Sequence, residues 1–380
     1  MSAPAPQQRA YTALLPGDPA PWFYQRSLSN PRYAFNSVGG RYVVLCFFGS
    51  ATDPLSRAAL DAVIAHRAIF DDSNMCFFGV SADPRDEAQR LIAEMLPGIR
   101  YFLDYDLSVA RRMGAAPREI AAGEANVPMR RLWLVLDPTL RVQAVFPFAG
   151  QAGGFGEVLN HLKALPPADR FAGFELQAPI LILPNVFEPA FCARLIALYE
   201  KHGSEESGFM REVGGQTVLT HDHAHKRRKD YTIEDETLVR ETQQRVLRRI
   251  VPEIQKAHQF KATRMERYIV SCYAAEDSGH FRAHRDNTTA GTAHRRFAVS
   301  INLNADFEGG EIGFPEYGPR RFKPPPGGAC VFSCSLLHEV SPVTRGRRYA
   351  FLPFLYDDEA AKIREANNVH LGEGVARYRA

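Results

Sequence analysis

The sequence predicts two domains, an α/β domain followed by an α+β domain. Its 380 residues are too many for one ordinary domain and enough for two. In the first half, apolar strand segments alternate with helical segments, a pattern typical of a sheet covered by helices. In the second half, helical segments are followed by short strands between glycine, proline and asparagine turns, which favours a sandwich or a small barrel.

The composition limits the classes of function. A hydrophobic fraction of 45% and a charged fraction of 23% are typical of a soluble globular protein. The net charge of +3 is too small to indicate a nucleic-acid surface, so we expect no nucleic-acid partner. The N-terminal segment lacks a basic start followed by an apolar run, and no stretch of about twenty apolar residues occurs. We therefore expect a cytoplasmic protein with no membrane partner.

The six cysteines are scattered along the chain, and four lie within apolar, strand-like runs such as YVVLCFF and CVFSC. No Cys-x-x-Cys pair occurs among them. They therefore indicate neither a disulfide framework nor a structural zinc site.

The first domain is predicted from an ordered series of segments. A strand, a helix, a strand and a helix come first, and two further strands and a closing helix complete it. In chain order they are YVVLCFF (42–48), LSRAALDAVIAHR (55–67), MCFFGVSAD (75–83), DEAQRLIAEML (86–96), RLWLVLDP (131–138), RVQAVFPF (141–148) and residues 156–165. Pro166 and Pro167 end the last helix, and the composition then becomes irregular.

The domain boundary is placed in this irregular stretch, before the segment ILILPNVF. The sequence then predicts a flexible N-terminus, a first domain, a linker, a second domain and a C-terminal tail. Their ranges are 1–15, 16–165, 166–178, 179–358 and 359–380.

The second domain is predicted to begin with a helix from Pro189 to Lys201. A polar stretch from Gly203 to Lys229 follows, and then a long helical segment from Ile233 to His258 that Pro252 interrupts. The remaining segments are predicted strands, namely ERYIVSCY, FAVSINLN, GEIGFP, ACVFSC and RYAFLPFLY.

His284, Asp286 and His338 are the predicted metal ligands and catalytic residues. On an extended segment, the spacing of His284 and Asp286 points both side chains to one face, where they can hold one metal ion. With 12 histidines in the chain, about one His-x-Asp pair is expected by chance. His338 strengthens the prediction because it ends an apolar strand and completes the two-histidine, one-carboxylate set. That set binds Fe(II) on one side and leaves positions for a bidentate co-substrate and dioxygen.

Arg348 opens the next predicted strand, ten residues after His338. A planar guanidinium can bind the far carboxylate of a keto-diacid through two parallel hydrogen bonds. The alternative is a solvated arginine in a run with Arg345 and Arg347. The position of His338 ten residues earlier favours the binding role.

Together these features resemble the 2-oxoglutarate/Fe(II) dioxygenases of the prolyl 4-hydroxylase-like group, over about residues 180–357. In that family a tyrosine and a glycine precede His-x-Asp. Leu-Asn, Gly-Gly-Glu and Phe-Pro follow it, and a glycine-containing turn then leads into the apolar strand that ends at the distal histidine. A basic residue follows that histidine after ten positions. The corresponding residues are Tyr273, Gly279, His284-Arg285-Asp286, Leu303-Asn304, Gly309-Gly310-Glu311, Phe314-Pro315, Gly327-Gly328, His338 and Arg348.

The resemblance implies a double-stranded β-helix (jelly-roll) fold and a hydroxylase that decarboxylates 2-oxoglutarate to succinate and CO2. Its implied cofactors are Fe(II), 2-oxoglutarate and O2, with ascorbate as a candidate reductant. Asp286 fills the ligand position that halogenases leave empty, which disfavours halogenation. The protein itself supplies binding and orientation. The substrate stays open between peptidyl, amino-acid-like and small-metabolite compounds.

The resemblance also implies that Arg348, Tyr273 and Asn302 bind 2-oxoglutarate. The segment between Tyr273 and His284 is about two residues longer than is usual in the family. Asn302 stands where relatives often carry a tyrosine. It could donate to the same carboxylate or satisfy its own backbone, and both alternatives stay open.

The histidine-rich and basic stretch from His221 to Lys229 has two interpretations. It could close over the site as a lid that contacts an anionic substrate, since long loops without structure of their own are often functional. Alternatively it is a solvated loop with a metal-binding histidine cluster.

Residues 16–148 resemble the thioredoxin superfamily, and its peroxiredoxin branch in particular. The resemblance is carried by PGDPAPWF, the strand YVVLCFF, the turn into a helix, and RLWLVLDP. In active relatives that turn carries a reactive cysteine at the helix N-terminus, where the helix dipole lowers the thiol pKa. Here the turn, Gly49 to Ser56, has no cysteine, and a hydroxyl cannot be oxidised reversibly through sulfenic acid. We therefore predict a redox-inactive domain.

Several residues of this domain receive structural roles in consequence. Cys46 and Cys76 are predicted to be buried core thiols, and Asp53 is predicted to cap the next helix. Arg131 stands where the peroxiredoxin pattern has an arginine, without a cysteine to serve. The domain is then expected to act as a scaffold, to form a homo-oligomer or to present substrate.

The leading hypothesis is thus a 2-oxoglutarate-dependent dioxygenase with a redox-inactive appendage. The alternative is a non-catalytic protein that binds metal and recruits a partner through the first domain. A structural metal site would more often be closed by a fourth protein ligand, which favours the enzyme. The missing cysteine argues against a third hypothesis, a thiol peroxidase.

Overall fold

The computed structural model describes residues 9–121, 123–124, 126–372 and 375–378. Residues 1–8 of the predicted flexible N-terminus lie outside this part, as do residues 373, 374, 379 and 380 of the predicted tail. None of the helices in these ranges has the length and apolar character that crossing a bilayer requires.

The chain forms two compact units. Unit 1 comprises Met1–Leu176 with Pro315–Gly318, and unit 2 comprises Gln177–Phe314 with Pro319–Ala380.

Unit 1 is an α/β fold in which strands and helices alternate. Its strands are β1 (Tyr24–Gln25), β2 (Tyr33–Ala34), β3 (Tyr42–Gly49), β4 (Met75–Ser81), β5 (Ile99–Leu103), β6 (Leu132–Leu136) and β7 (Val142–Pro147). Its helices are α1 (Pro54–Ala65), α2 (Pro84–Ala88), α3 (Ser108–Arg112) and α4 (Phe155–Ala164).

A five-stranded sheet in the order β5-β4-β3-β6-β7 forms the centre of unit 1. β3, β4 and β5 are parallel to one another. β6 is antiparallel to both of its neighbours, β3 and β7. The central strand β3 is buried on both faces, because Val44 and Cys46 pack in one core cluster and Val43 and Leu45 in another. Residues of α1 and α4 join the first cluster, and residues of α3 join the second. The predicted thioredoxin-like α/β fold is confirmed.

The predicted helix at residues 86–96 is wrong beyond Ala88, where α2 ends. Arg90 adopts a positive φ of 54°, which breaks the helix, and Met95 then exchanges backbone hydrogen bonds with Ile99. Met95 and neighbouring apolar residues pack against the core of the sheet, so tertiary packing overrides the helical propensity of this segment. The sequence also gave no prediction of β5 or α3.

Asp86 stabilises this part of unit 1 through buried hydrogen bonds. Its fully buried carboxylate accepts hydrogen bonds from the backbone N–H of Ala51 and from the hydroxyls of Ser50 and Ser81. Replacing Asp86 with alanine leaves these buried donors without an acceptor and should destabilise unit 1 by about 3 kcal/mol. Denaturant unfolding measures this loss. Asp61→Ala, which removes an exposed helical ion pair, should cost no more than about 0.5 kcal/mol.

Unit 2 consists of short strands and a group of helices. Its helices are α5 (Pro189–His202), α6 (Glu236–Arg249), α7 (Val251–His258) and α8 (Asp358–Ala366). Its first eight strands are β8 (Leu181–Leu183), β9 (Glu205–Glu206), β10 (Phe209–Val213), β11 (Gln216–Thr220), β12 (Lys226–Arg227), β13 (Lys229–Thr232), β14 (Arg264–Glu266) and β15 (Ile269–Ala274). The strands that follow are β16 (His280–His284), β17 (Phe297–Asn302), β18 (Phe307–Gly309), β19 (Ile312–Gly313), β20 (Arg321–Phe322), β21 (Ala329–Ser333), β22 (His338–Val340), β23 (Val343–Phe351) and β24 (Phe354–Tyr356).

Two antiparallel sheets build unit 2. The major sheet runs β14-β24-β17-β23-β15-β13-β9, with β21 joining β17 to β8 and β18 pairing with β23. The minor sheet runs β12-β16-β22-β19-β20, and β10 and β11 form a separate hairpin. Tyr273 of the major sheet packs in one cluster with Phe281 and Val340 of the minor sheet, so the two sheets face each other. The predicted α+β double-stranded β-helix is confirmed.

Alternation along the strands of the major sheet separates an outer face from an inner face. On β15 and β17, residues such as Val270 and Val299 pack with helices α5, α6 and α7 in the outer core cluster. Their neighbours in sequence therefore point to the inner face. The inner positions of these two strands include polar residues, among them Ser271, Tyr273, Ser300 and Asn302.

Candidate metal centre

The three predicted metal ligands meet at one end of the minor sheet. His284 ends β16 and pairs across the sheet with His338, which begins β22. Asp286 follows two residues after His284, and its backbone N–H donates to the Cys334 carbonyl. One potential ligand atom from each of the three side chains lies within 4.8 Å of the others. The geometry therefore groups the residues that the sequence predicted.

Hydrogen bonds orient both imidazoles toward Asp286. The Nδ1 of His284 lies 2.7 Å from the Arg282 carbonyl, and the Nδ1 of His338 lies 3.0 Å from the Leu336 carbonyl. Their Nε2 atoms lie 3.5 and 3.4 Å from the carboxylate oxygens of Asp286. This is the arrangement in which a second hydrogen bond fixes the tautomer of a metal-binding histidine.

The protonation states suit metal binding. Burial, together with neighbouring His338, lowers the pKa of the His284 imidazole to about 4. Burial alone would raise the pKa of the Asp286 carboxyl, but His338 and His284 hold it well below its usual range. At neutral pH the site thus offers a neutral imidazole and an ionised carboxylate, the forms that coordinate metals.

The donor set fits an Fe(II) ion with open coordination positions. Among the described residues, the metal-binding cluster contains these three side chains and no fourth histidine, cysteine or carboxylate. A structural zinc site usually has four protein ligands, whereas two histidines and one carboxylate on one side are typical of Fe(II) oxygenases. Phe281 stacks on His284 with ring centroids 3.5 Å apart, which supports the imidazole from the interior.

Arg348 lies on the inner face of the major sheet, with 1% of its surface exposed. Its Nε donates to Oδ1 of Asn302 at 3.0 Å, and its Nη2 donates to the Ser300 hydroxyl at 2.8 Å. Its Nη1 has no hydrogen-bond partner and forms no ion pair within the described ranges. Burial lowers the pKa of this guanidinium, but an arginine still stays charged at neutral pH. A buried cation of this kind calls for an anion.

Tyr273 connects Arg348 with the metal ligands. It pairs with Arg348 across the strands β15 and β23, and the guanidinium carbon lies 5.3 Å from the centroid of its ring. On its other side it packs in one cluster with Phe281, whose ring stacks on His284. A side chain at Gly279 would crowd this tyrosine, since an added Cβ would lie 2.8 Å from its Cα. Arg348 and Tyr273, both predicted to bind the co-substrate, therefore lie side by side on the inner face of the major sheet.

Arg228 and Asp230 hold the hydroxyl of Tyr273. The Arg228 guanidinium binds the Asp230 carboxylate through two hydrogen bonds of 2.8 and 2.7 Å, and its Nη1 lies 3.3 Å from the tyrosine hydroxyl. Burial raises the pKa of Asp230, but Arg228 and Lys226 outweigh it and keep the carboxylate ionised. Because the hydroxyl accepts from Arg228, its own proton is available to another acceptor.

Part of the predicted lid belongs to the sheets. β12 pairs with β16 beside His284, and β13 pairs with β15, with buried Arg228 between them. The Lys226 ammonium is buried as well, donating to Ser207 Oγ and to the Gly208 carbonyl. Residues 226–229 are therefore mostly strand and not a loop, with Lys226 and Arg228 buried and Arg227 and Lys229 exposed. A covering role for residues 221–225, whose His225 ring lies 6.3 Å from that of His284, stays a prediction.

The sequence interpretation missed Ser271, Ser300 and Asp230, and it placed Arg228 in the candidate lid rather than beside Tyr273. Strand alternation could have found the two serines, because each lies two residues before a predicted inner residue on the same strand. The hydrogen bonds of Asn302 go to other partners than the two that were considered. Its Nδ2 donates to the Pro324 carbonyl, and its Oδ1 accepts from Arg348. It supports the arginine rather than its own backbone.

In unit 1, an ion pair fills the place of the peroxiredoxin cysteine turn. Asp53 caps α1 by accepting from the Ser56 N–H, as predicted, and Arg131 donates to Asp53 at 2.6 Å and to the Ser56 hydroxyl at 3.2 Å. Cys46 and Cys76 are buried, as predicted. Burial raises the pKa of the Cys76 thiol to about 12 and that of Cys46 well above its ordinary value. These thiols are unsuited to nucleophilic chemistry.

Two protein families match parts of the chain. Residues 268–356 match the family described as the 2OG-Fe(II) oxygenase superfamily, and residues 16–145 match the AhpC/TSA family. Both resemblances predicted from the sequence are confirmed. The three candidate metal ligands and Arg348 all lie within the first range.

Similar curated proteins are PKHD-type hydroxylases. One from Pseudomonas fluorescens is 34% identical over 91 residues, which cover 22% of this chain and 39% of that protein. Another from Stutzerimonas stutzeri is 25% identical over 180 residues, which cover 45% of this chain and 75% of that protein. The chain thus spans well under half of the length of the first relative.

Similar solved structures cover each unit separately. A prolyl hydroxylase from Trichoplax adhaerens, solved with a peptide fragment of the hypoxia-inducible factor oxygen degradation domain, is 17% identical with a TM-score of 0.36. The likeness covers 48% of this chain and 86% of that one. The bacterioferritin comigratory protein of Xanthomonas campestris is 20% identical with a TM-score of 0.31, over 37% of this chain and 90% of that one.

Proposed function

We propose that unit 2, whose residues 268–356 match the 2OG-Fe(II) oxygenase superfamily, makes this protein an Fe(II)- and 2-oxoglutarate-dependent dioxygenase that hydroxylates its substrate. One observation carries the proposal. Arg348 is a buried cation without a carboxylate partner in the described chain, and Tyr273 and Phe281 connect it with the cluster of His284, Asp286 and His338. A keto acid with a second carboxylate can chelate a metal ion at the three-residue cluster and place its other carboxylate at Arg348.

The residues of the chain divide the work. His284, Asp286 and His338 would hold an Fe(II) ion, and a set of three protein ligands would leave coordination positions for 2-oxoglutarate and O2. Arg348 and the Tyr273 hydroxyl hold the co-substrate, and Asn302 fixes the arginine in place. When bound, Fe(II) and 2-oxoglutarate would supply oxidative decarboxylation with O2, in which one oxygen atom enters succinate with release of CO2 and the other hydroxylates a substrate C–H bond. The protein contributes orientation and a dry interior.

The substrate class is proposed only broadly, as a peptidyl, amino-acid-like or small-metabolite compound. The PKHD-type names of the relatives are consistent with hydroxylation. We also propose that ascorbate serves as a reductant, that the protein is cytoplasmic and that it forms a homo-oligomer. We propose no nucleic-acid partner and no membrane partner. Unit 1 is proposed as a scaffolding or substrate-presenting domain.

A non-catalytic function is the alternative. In that case the triad binds metal, and unit 1, whose cysteine turn carries Asp53 and Ser56, recruits a partner. This alternative leaves the buried Arg348 without a counter-ion, which is why the enzyme is favoured.

Anaerobic titration of the Fe(II)-loaded protein with 2-oxoglutarate tests the proposal. We expect a weak visible charge-transfer band from the chelated keto acid, saturating with one equivalent bound. His338→Ala should lose the band because one imidazole ligand is missing. Iron bound without any band in the wild-type protein would favour the non-catalytic alternative. A band would justify a substrate screen by succinate release.

A further inference from the structure

Two buried polar atoms on the inner face of the major sheet have no hydrogen-bond partner in the described part of the chain. They are Nη1 of Arg348 and Oγ of Ser271. Ser271 is fully buried on β15. Buried polar groups are nearly always satisfied, and an unsatisfied one costs stability, so such a hydroxyl suggests a ligand that is not part of the chain.

The strand register places Arg348 and Ser271 in neighbouring rows of the same face of the major sheet. Asn302 and Ser271 pair with Ala350 from opposite sides, so these three residues form one row across β17, β23 and β15. Arg348 starts one row away on the same face, opposite Tyr273. Its side chain reaches Asn302 and Ser300 on β17, and the small residue Ala350 lies in the row between Ser271 and Asn302.

The hydrogen bonds of Arg348 decide which edge of the guanidinium stays free. Nε and Nη2 form one edge, and they donate to Asn302 and Ser300, both on β17. Nη1 therefore lies on the edge away from β17. The strand on that flank of β23 is β15, which carries Ser271 and Tyr273 on its inner face. The free edge of the guanidinium therefore faces the strand that carries the hydroxyls of Ser271 and Tyr273.

We propose that Ser271 donates a hydrogen bond to the distal carboxylate of 2-oxoglutarate, beside the Nη1 of Arg348. This rests on the proposed function and names a further binding residue for its co-substrate. A carboxylate has acceptor positions for both donors, and a charged acceptor strengthens each bond. Ser271 is assigned this role because its buried hydroxyl has no partner in the described chain, whereas both polar atoms of the Asn302 amide already have one, in Pro324 and Arg348. Together Ser271 and Arg348 select a keto acid with a second carboxylate.

The test compares two keto acids on the Fe(II)-loaded protein without oxygen. One is 2-oxoglutarate, and the other is 2-oxopentanoate, which has a methyl group in place of the distal carboxylate. Ser271→Ala should weaken calorimetric binding of 2-oxoglutarate about tenfold or more and leave that of 2-oxopentanoate unchanged. In turnover, KM for 2-oxoglutarate should rise while kcat at saturation stays constant, because the contact is the same before and during the reaction.

Stability provides a second readout that separates binding from structure. Removing a hydroxyl without a partner should leave the metal-free protein at least as stable as the wild type. Ser56→Ala, which removes a buried serine hydroxyl that donates to Phe48, should instead lower stability and leave 2-oxoglutarate binding unchanged. The Ser271 assignment is overturned by an equal effect on both keto acids, by no effect on either, or by a loss of stability in Ser271→Ala. If the wild-type protein does not bind 2-oxoglutarate at all, the proposed function fails, and the assignment fails with it.

Discussion

Replacing Asp286 with alanine should abolish 2-oxoglutarate-dependent turnover while unit 2 stays folded. The carboxylate is the anionic member of the cluster and faces the Nε2 atoms of His284 and His338 at 3.5 and 3.4 Å. Removing even an outer hydrogen-bond partner of a metal ligand commonly costs about 10- to 100-fold in affinity or activity. Loss of a direct ligand should therefore lower the rate of succinate release by about 1000-fold or more. Metal analysis of the purified variant should show loss of iron in parallel.

Asp277→Ala is the matched control for this change. Asp277 is a half-buried carboxylate of the same unit, ion-paired with Lys229 at 3.1 Å, and its removal should change turnover by less than about twofold. Circular dichroism of the metal-free Asp286→Ala protein should overlay that of the wild type, because the Asp286 backbone N–H still donates to Cys334. Succinate release at a wild-type rate from the iron-free variant would show that the triad is not the catalytic centre.

The clustering of the three candidate metal ligands and the strand position of Arg348 were predictable from the sequence because they depend on strand geometry. The two-residue spacing of His284 and Asp286 requires only an extended backbone, and an apolar strand leads to His338. What the sequence did not show is which polar groups would remain without partners. That depends on long-range register, such as the pairing of Ser271 and Asn302 with the same Ala350.

The fold was predictable where each segment has one strong pattern and was not where tertiary contacts decide. β3, buried on both faces, reads as a continuous apolar run. The segment 226–232 reads as charged and loop-like, yet it contributes strands to both sheets of unit 2. Its charges are accommodated by local pairing, since Arg228 is neutralised by Asp230 inside the fold. A pattern based on polarity alone assigns such residues to the surface.

Replacing Arg348 with alanine should raise KM for 2-oxoglutarate by about 100-fold or more, with a smaller effect on iron binding. The guanidinium is fully buried, it is held by Asn302 and Ser300, and its Nη1 is unpaired. A hydrogen bond to a charged group contributes about 1.5–3 kcal/mol, so one bond from Nη1 to a carboxylate accounts for this factor. Steady-state succinate release at varied 2-oxoglutarate concentration measures KM, and metal analysis confirms that the triad is intact.

Arg348→Lys should give an intermediate KM, because an ammonium keeps the charge but cannot bind Asn302, Ser300 and both carboxylate oxygens in one plane. The neighbouring arginine supplies the control. Arg345 is exposed and ion-paired with Glu308 at 2.7 Å, so Arg345→Ala should leave KM unchanged. The two outcomes separate the interpretations of this arginine run that the sequence left open. A wild-type KM in Arg348→Ala with iron bound would show that the distal carboxylate binds elsewhere. The expected rise in KM, with no change in Arg345→Ala, would assign the buried Arg348 guanidinium to co-substrate binding and leave Arg345 as a surface residue.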